Sequence, residues 1–154
     1  TDTVASYITR AHYLVIEANY DEEMLAHGPY PQYLKDRITG PNGHLSNKTT
    51  AKFLAANLTE ELKYIWLCHL SRENNHPELA YKTVEWELRG VGIIPGKDLY
   101  LAALKRTTPS ELFELEWVKA EWRCFDISEQ GLKSKKKCLF FLKIDILVFY
   151  NIFL

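Results

Sequence analysis

The stretch Tyr64-Ile65-Trp66-Leu67-Cys68-His69-Leu70-Ser71-Arg72-Glu73-Asn74-Asn75 decides how this chain is read. Five consecutive apolar residues, Tyr64 to Cys68, predict a buried strand. The strand ends abruptly on His69, and a polar, turn-prone loop follows. Asn75 followed by Pro77 predicts a helix start, with a capping side chain just ahead of a proline in the first turn. A histidine at the mouth of a buried strand can act on a ligand while its backbone stays rigid. That arrangement suits a metal ligand or an acid/base better than it suits core filling.

Upstream, the run Tyr13-Leu14-Val15-Ile16 reads as a second strand that ends on Glu17. Asp21 can cap a short helix from Glu22 to Ala26, which Gly28-Pro29 stops. A second short helix is expected from Pro31 to Ile38, then a loop at Gly40-Pro41-Asn42-Gly43. Ser46 or Asn47 caps a helix to about Asn57, with Ala51, Leu54, Ala55 and Leu58 on its buried face. Downstream, a helix from His76 to Leu88 should bury Leu79, Ala80, Thr83, Val84 and Leu88, with Gly90 as its C-terminal cap. Asp98 to Leu104 is a third strand, and Thr3 to Ala11 a short N-terminal helix. Strands alternating with helices indicate an α/β layer and exclude a bundle.

At 154 residues the chain can bury one real core, and 47% hydrophobic with 25% charged residues is ordinary for a globular domain. The formal net charge of -1 argues against capture of nucleic acid by the chain as a whole and leaves room for a local basic groove. Cys68, Cys124 and Cys138 form no C-x-x-C pair. Their spacing fits a reducing compartment, and cytoplasmic location is expected. No basic-then-apolar signal peptide opens the chain. Residues 117–154 change character. Lys133, Lys135, Lys136 and Lys137 lead into an apolar run, Cys138 to Leu154, interrupted by Lys143 and Asp145. A membrane-spanning helix needs about 20 apolar residues, and charge at its centre is costly. The tail is therefore expected to be a non-native or poorly ordered extension, ahead of a membrane or partner anchor.

Glu17, His44 and His69 all fall at strand ends or in loops, where α/β folds collect their sites. Taken singly, each has a plainer reading. A strand-end histidine is more often structural, Glu17 could pair in a salt bridge, and Asp2 could be a surface N-cap. His12, His27 and His76 read as surface, helix-end and helix-start residues.

The segments Thr1-Asp2-Thr3, Leu14-Val15-Ile16-Glu17-Ala18-Asn19-Tyr20-Asp21, Gly43-His44-Leu45-Ser46-Asn47 and Leu67 to Asn75 occur in that order. Together they resemble the C-terminal half of metallo-β-lactamase-fold hydrolases of the WalJ/YycJ type, which are similar to ribonuclease Z and other nucleases. The resemblance covers about Thr1 to Glu116. It implies the C-terminal half of an αββα sandwich, with one mixed sheet and its covering helices in residues 1–116. It also implies a metal-dependent phosphodiesterase or nuclease acting on DNA or RNA. Two divalent ions, zinc or manganese, would serve it. By the same resemblance Asp2 carries the metal-bridging carboxylate and His69 is a metal ligand. His44 assists at the scissile phosphate, and Glu17 orients His44. One mild departure is Val4, where the family commonly has glycine.

The larger departure is an absence. The H-x-H-x-D-H signature that supplies most of the family's metal ligands does not occur in this sequence. Asp2 and His69 are too few for a binuclear site. The chain is therefore expected to be a fragment cut near the bridging segment, inactive alone, whose partner is the N-terminal half of the same domain. Competing readings are a non-catalytic binding half-domain, or a hydrolase of another ester, thioester or lactam class.

Overall fold

The computed structural model describes residues 7–114 and 146–149. Strands β1 (Tyr13–Glu17), β2 (Tyr64–Cys68), β3 (Tyr100–Ala103) and β4 (Ile146–Phe149) form one sheet in the order β3-β2-β1-β4. Every pairing is parallel, with Tyr13 opposite Tyr64, Tyr64 opposite Tyr100 and Tyr13 opposite Ile146. The α/β class holds, but the expected mixed sheet gives way, among the described strands, to a parallel one. The connections explain it. Helices α1 (Glu22–His27), α2 (Gln32–Thr39) and α3 (Asn47–Asn57) lie between β1 and β2, and α4 (Pro77–Gly90) lies between β2 and β3. A helical crossover carries the chain from the carboxyl end of one strand back to the end of the sheet where that strand began, so the next strand runs parallel.

Alternation along the strands gives the sheet two different faces. Leu14, Ile16, Ile65, Leu67 and Leu101 form one core cluster with Ala51 and Leu54 of α3 and with Ala80, Val84 and Leu88 of α4. Each fully buried Leu, Ile or Val contributes roughly 1.5–3 kcal/mol. The buried stripe of α4 runs at intervals of four residues, so Leu79, expected in the core, is exposed, and Thr83 is only half-buried. The other face carries an aromatic ladder across three strands. The Tyr64 ring lies 5.5 Å from that of Tyr13, 5.4 Å from Trp66 and 5.4 Å from Tyr100. Phe113 closes over it, 5.1 Å from Trp66.

Helix starts follow the sequence closely, with one exception. Asp21 Oδ1 accepts from the N–H groups of Glu23 and Met24, and Ser46 Oγ accepts from that of Thr49. At α4 the cap is His76, not Asn75: the His76 ring accepts from the Glu78 N–H at 3.3 Å. Asn75 is instead buried beneath the exit of β1. Its Nδ2 donates to the Ala18 carbonyl at 2.8 Å and the Asn19 carbonyl at 3.0 Å. The Asn75 and Asn47 amides also bond each other in both directions, at 2.8 and 2.9 Å. This pair ties the first turns of α3 and α4 to the segment leaving β1. At the far end of α4, Gly90 remains helical, and Gly92 takes the left-handed turn at φ 86°.

Among the described residues no helix is long and apolar enough to cross a membrane. Apart from β4, the basic and apolar tail lies outside the described residues.

Asn75→Ala strips a partner from the buried Asn47 amide and from two carbonyls. A loss on the order of 2–3 kcal/mol in urea unfolding is expected. Combined with Asn47→Ala, the loss should be smaller than the sum of the single losses. Strictly additive effects would show that the two amides do not act as a unit.

Candidate functional site

Glu17 is the last residue of β1, and its side chain is 0% exposed. Its Oε1 accepts from His44 Nδ1 at 2.7 Å and from His69 Nδ1 at 2.6 Å. Its Oε2 accepts from the Leu45 backbone N–H at 3.3 Å. Carboxylate oxygens only accept, so in both rings the proton facing Glu17 sits on Nδ1, and Nε2 is the nitrogen turned away from it. A buried carboxylate without donors would cost several kcal/mol, and these three donors offset that. The two rings meet edge to face, with centroids 5.0 Å apart. With side chains 32% and 34% exposed, His44 and His69 turn the rest of each ring toward a shared cleft.

Local backbone geometry delivers each histidine. His69 follows the last residue of β2 and adopts a left-handed φ of 55°. Histidine tolerates that region better than most residues, yet such a conformation costs about 1–3 kcal/mol. Asn19 holds it there by donating from Nδ2 to the His69 carbonyl at 2.6 Å, while the Ser71 N–H donates to the Asn19 carbonyl at 2.6 Å. His44 is placed by a close passage of backbone. The His44 N–H donates to the Ile38 carbonyl at 2.9 Å. At Gly43 a Cβ would collide with that same carbonyl, so only glycine fits. The Asn19 N–H then donates to the Leu45 carbonyl at 2.8 Å, joining this loop to the exit of β1.

Glu17, His44 and His69 form a group whose ligand atoms lie within 4.8 Å of one another, compact enough to hold a metal ion. The donor chemistry suits one: a metal-binding histidine ordinarily donates its other ring N–H to a carboxylate, as both rings do here. Cys68 is not a contributor. Burial, and then the Glu17 charge, push its thiol up to about 11, so it stays neutral near neutral pH and packs as a small apolar group.

The sequence brings together on Glu17 two histidines where only His44 was expected to depend on it. Asp2 lies outside the described residues. Sequence reading also missed Arg37, Arg72 and Arg106, which line the cleft of about 650 Å³ beside the two rings. Two of them had a signal: Arg72 follows β2 and Arg106 follows β3, both at the strand ends where sites collect.

Over 115 residues the chain is 36% identical to exodeoxyribonuclease WalJ of Streptococcus pneumoniae serotype 2 (strain D39 / NCTC 7466), a match covering 75% of this chain and 43% of that protein. Over 95 residues it is 40% identical to exodeoxyribonuclease YycJ of Bacillus anthracis, covering 60% of this chain and 36% of that protein. The chain thus spans less than half the length of these relatives, and they support its resemblance to the WalJ/YycJ type. No family model matches the chain, and no solved structure matches it.

Gly43→Ala forces the new methyl group against the Ile38 carbonyl, and the loop must shift. The expected results are a stability loss of about 1–3 kcal/mol and loss of the hydrogen-bonded Nδ1 proton of His44 in NMR spectra, with that of His69 retained. Two unchanged Nδ1 protons would show that Gly43 does not place His44.

Proposed function

We propose that this chain is part of a metal-dependent nuclease that degrades DNA, in which Glu17, His44 and His69 work as one unit. The observation that carries this reading is the single Glu17 oxygen that fixes both imidazoles. The relatives named exodeoxyribonuclease supply the substrate class. Residues 1–116 form the catalytic half-domain, one sheet with its helices in an αββα sandwich, and the segment 117–154 adds β4 to that sheet beside β1. The protein works in the cytoplasm, and the rest of the sandwich comes from the N-terminal half of the same domain.

Each residue has a distinct task. With its Nδ1 proton held by Glu17, His69 presents Nε2 as a metal ligand. A divalent ion, zinc or manganese, would be held by His69 with the Asp2 carboxylate and would supply Lewis-acid polarisation of the phosphodiester and an activated water. His44 carries a proton on Nε2 to the leaving oxygen, and Glu17 stabilises the imidazolium while it does so. Glu17 is thus a positioning residue for both rings. A catalytic zinc usually keeps three protein ligands. Asp2 and His69 fall short of a binuclear site, so the 154-residue chain alone binds metal weakly and does not turn over.

The two histidines separate in a full-length protein that carries this segment. His44→Ala should lower turnover of DNA by about 10²–10⁴-fold with bound metal unchanged, whereas His69→Ala should lose metal and activity together. Equal metal loss in both variants would overturn the division of roles. Nucleotide release by the purified 154-residue chain should be absent, and robust chelator-sensitive release would refute the incomplete ligand set.

A further inference from the structure

We infer that Arg37, Arg72 and Arg106 form a phosphate-binding rim that seats a single-stranded nucleic acid across His44 and His69 without any metal. The inference rests on the nuclease reading for what happens after binding, and on the cleft itself for the binding.

The three arginines come from three places in the fold: α2, the loop after β2 and the loop after β3. All are exposed, and all line the cleft of about 650 Å³ that His44 and His69 also line. Among the described residues no aspartate or glutamate lines that cleft. Across the whole chain, by contrast, 20 acidic residues slightly outnumber 19 lysines and arginines. The cleft lining is therefore locally basic in a chain whose net charge is slightly negative.

The arginines are also suitably held. Arg106 Nη2 donates to the Leu70 carbonyl at 2.6 Å, which sets its guanidinium one residue from His69. Arg72 Nε lies 3.6 Å from Glu73, an exposed pair that an incoming phosphate can displace. Among the described residues no hydrogen bond or ion pair engages the Arg37 guanidinium. A guanidinium fork matches phosphate oxygens two at a time, which a lysine does not do. Tyr30, half-buried in the same wall, adds an aromatic surface of the kind on which unpaired bases stack. A cleft of this volume is the size of a small-ligand site. Its size suits the terminal nucleotides of one strand.

The test is fluorescence anisotropy of the 154-residue chain with a short labelled oligothymidylate in EDTA, at salt from about 50 to 200 mM. The parent chain should bind. Arg37→Ala and Arg72→Ala should each weaken binding several-fold and flatten the salt slope by about 0.7, the value for one phosphate contact on a single strand. Lys52→Ala, an exposed change on α3 outside the cleft, should leave both unchanged. A parent chain that does not bind, or an Arg37→Ala/Arg72→Ala double variant that binds as the parent does, overturns the rim. A duplex bound as tightly and with the same arginine dependence overturns the single-strand preference. Because metal is absent throughout, binding is read independently of cleavage: arginine-dependent binding here, together with a full-length protein carrying this segment that cleaves no DNA when supplied with zinc or manganese, would sink the nuclease reading and leave the rim standing.

Discussion

One buried carboxylate organises the functional end of this molecule. Glu17 sits on a strand with its side chain out of water, where a charge persists only with donors around it. Those donors cannot come from β1 itself. They come from the loop at His44 and Leu45 and from the turn at His69, segments 27 and 52 residues away along the chain. Satisfying Glu17 therefore requires both loops to close on the end of β1. The site follows from an electrostatic demand of the fold and needs no separate device to assemble it.

Rigid surroundings make that demand effective. Asn19 pins the strained His69 backbone, and the Asn47–Asn75 pair anchors the starts of α3 and α4 to the same short segment after β1. Thr50 of α3 reaches back to the Glu17 carbonyl at 2.6 Å. Position in the sheet matters too. β1 has β2 on one side and β4 on the other, and parallel sheets bind ligands outside the carboxyl ends of strands where the order changes direction. Glu17 stands at that end of β1. Sites built on such elements hold their geometry better than sites carried by loops alone.

Much of this was legible in the sequence because it is local. The apolar run from Tyr64 to Cys68 marks β2 to the residue, and Asp21 and Ser46 cap their helices as their side-chain chemistry dictates. Glu17 and His69 stood out as polar residues closing or following apolar runs, and His44 as a histidine in the loop after Gly43. Long-range partnership was not legible. Asn75 has the local signature of a helix cap, but the amide of Asn47 and two carbonyls of the β1 exit compete for it and win, leaving His76 to cap α4. The parallel sheet depends on how crossovers pack, which no single strand announces. Nor could spacing show that Arg37, Arg72 and Arg106 converge, since they are brought together only by folding.

The site separates two properties that are often treated as one. Ligand count sets how tightly a metal is held, whereas ring orientation sets whether it is held usefully. Here the orientation comes from protein hydrogen bonds to Glu17, so no metal is needed to establish it. Charge points the same way. Among the described residues, three arginines line the cleft against one carboxylate, Glu17, beside it, a balance that suits the proposed anionic ligand. A divalent ion would add to that field. Preorganisation of the two rings is accordingly a property of this chain's own fold, and on the proposed reading catalysis would depend on completing a ligand set around a scaffold that is already in place.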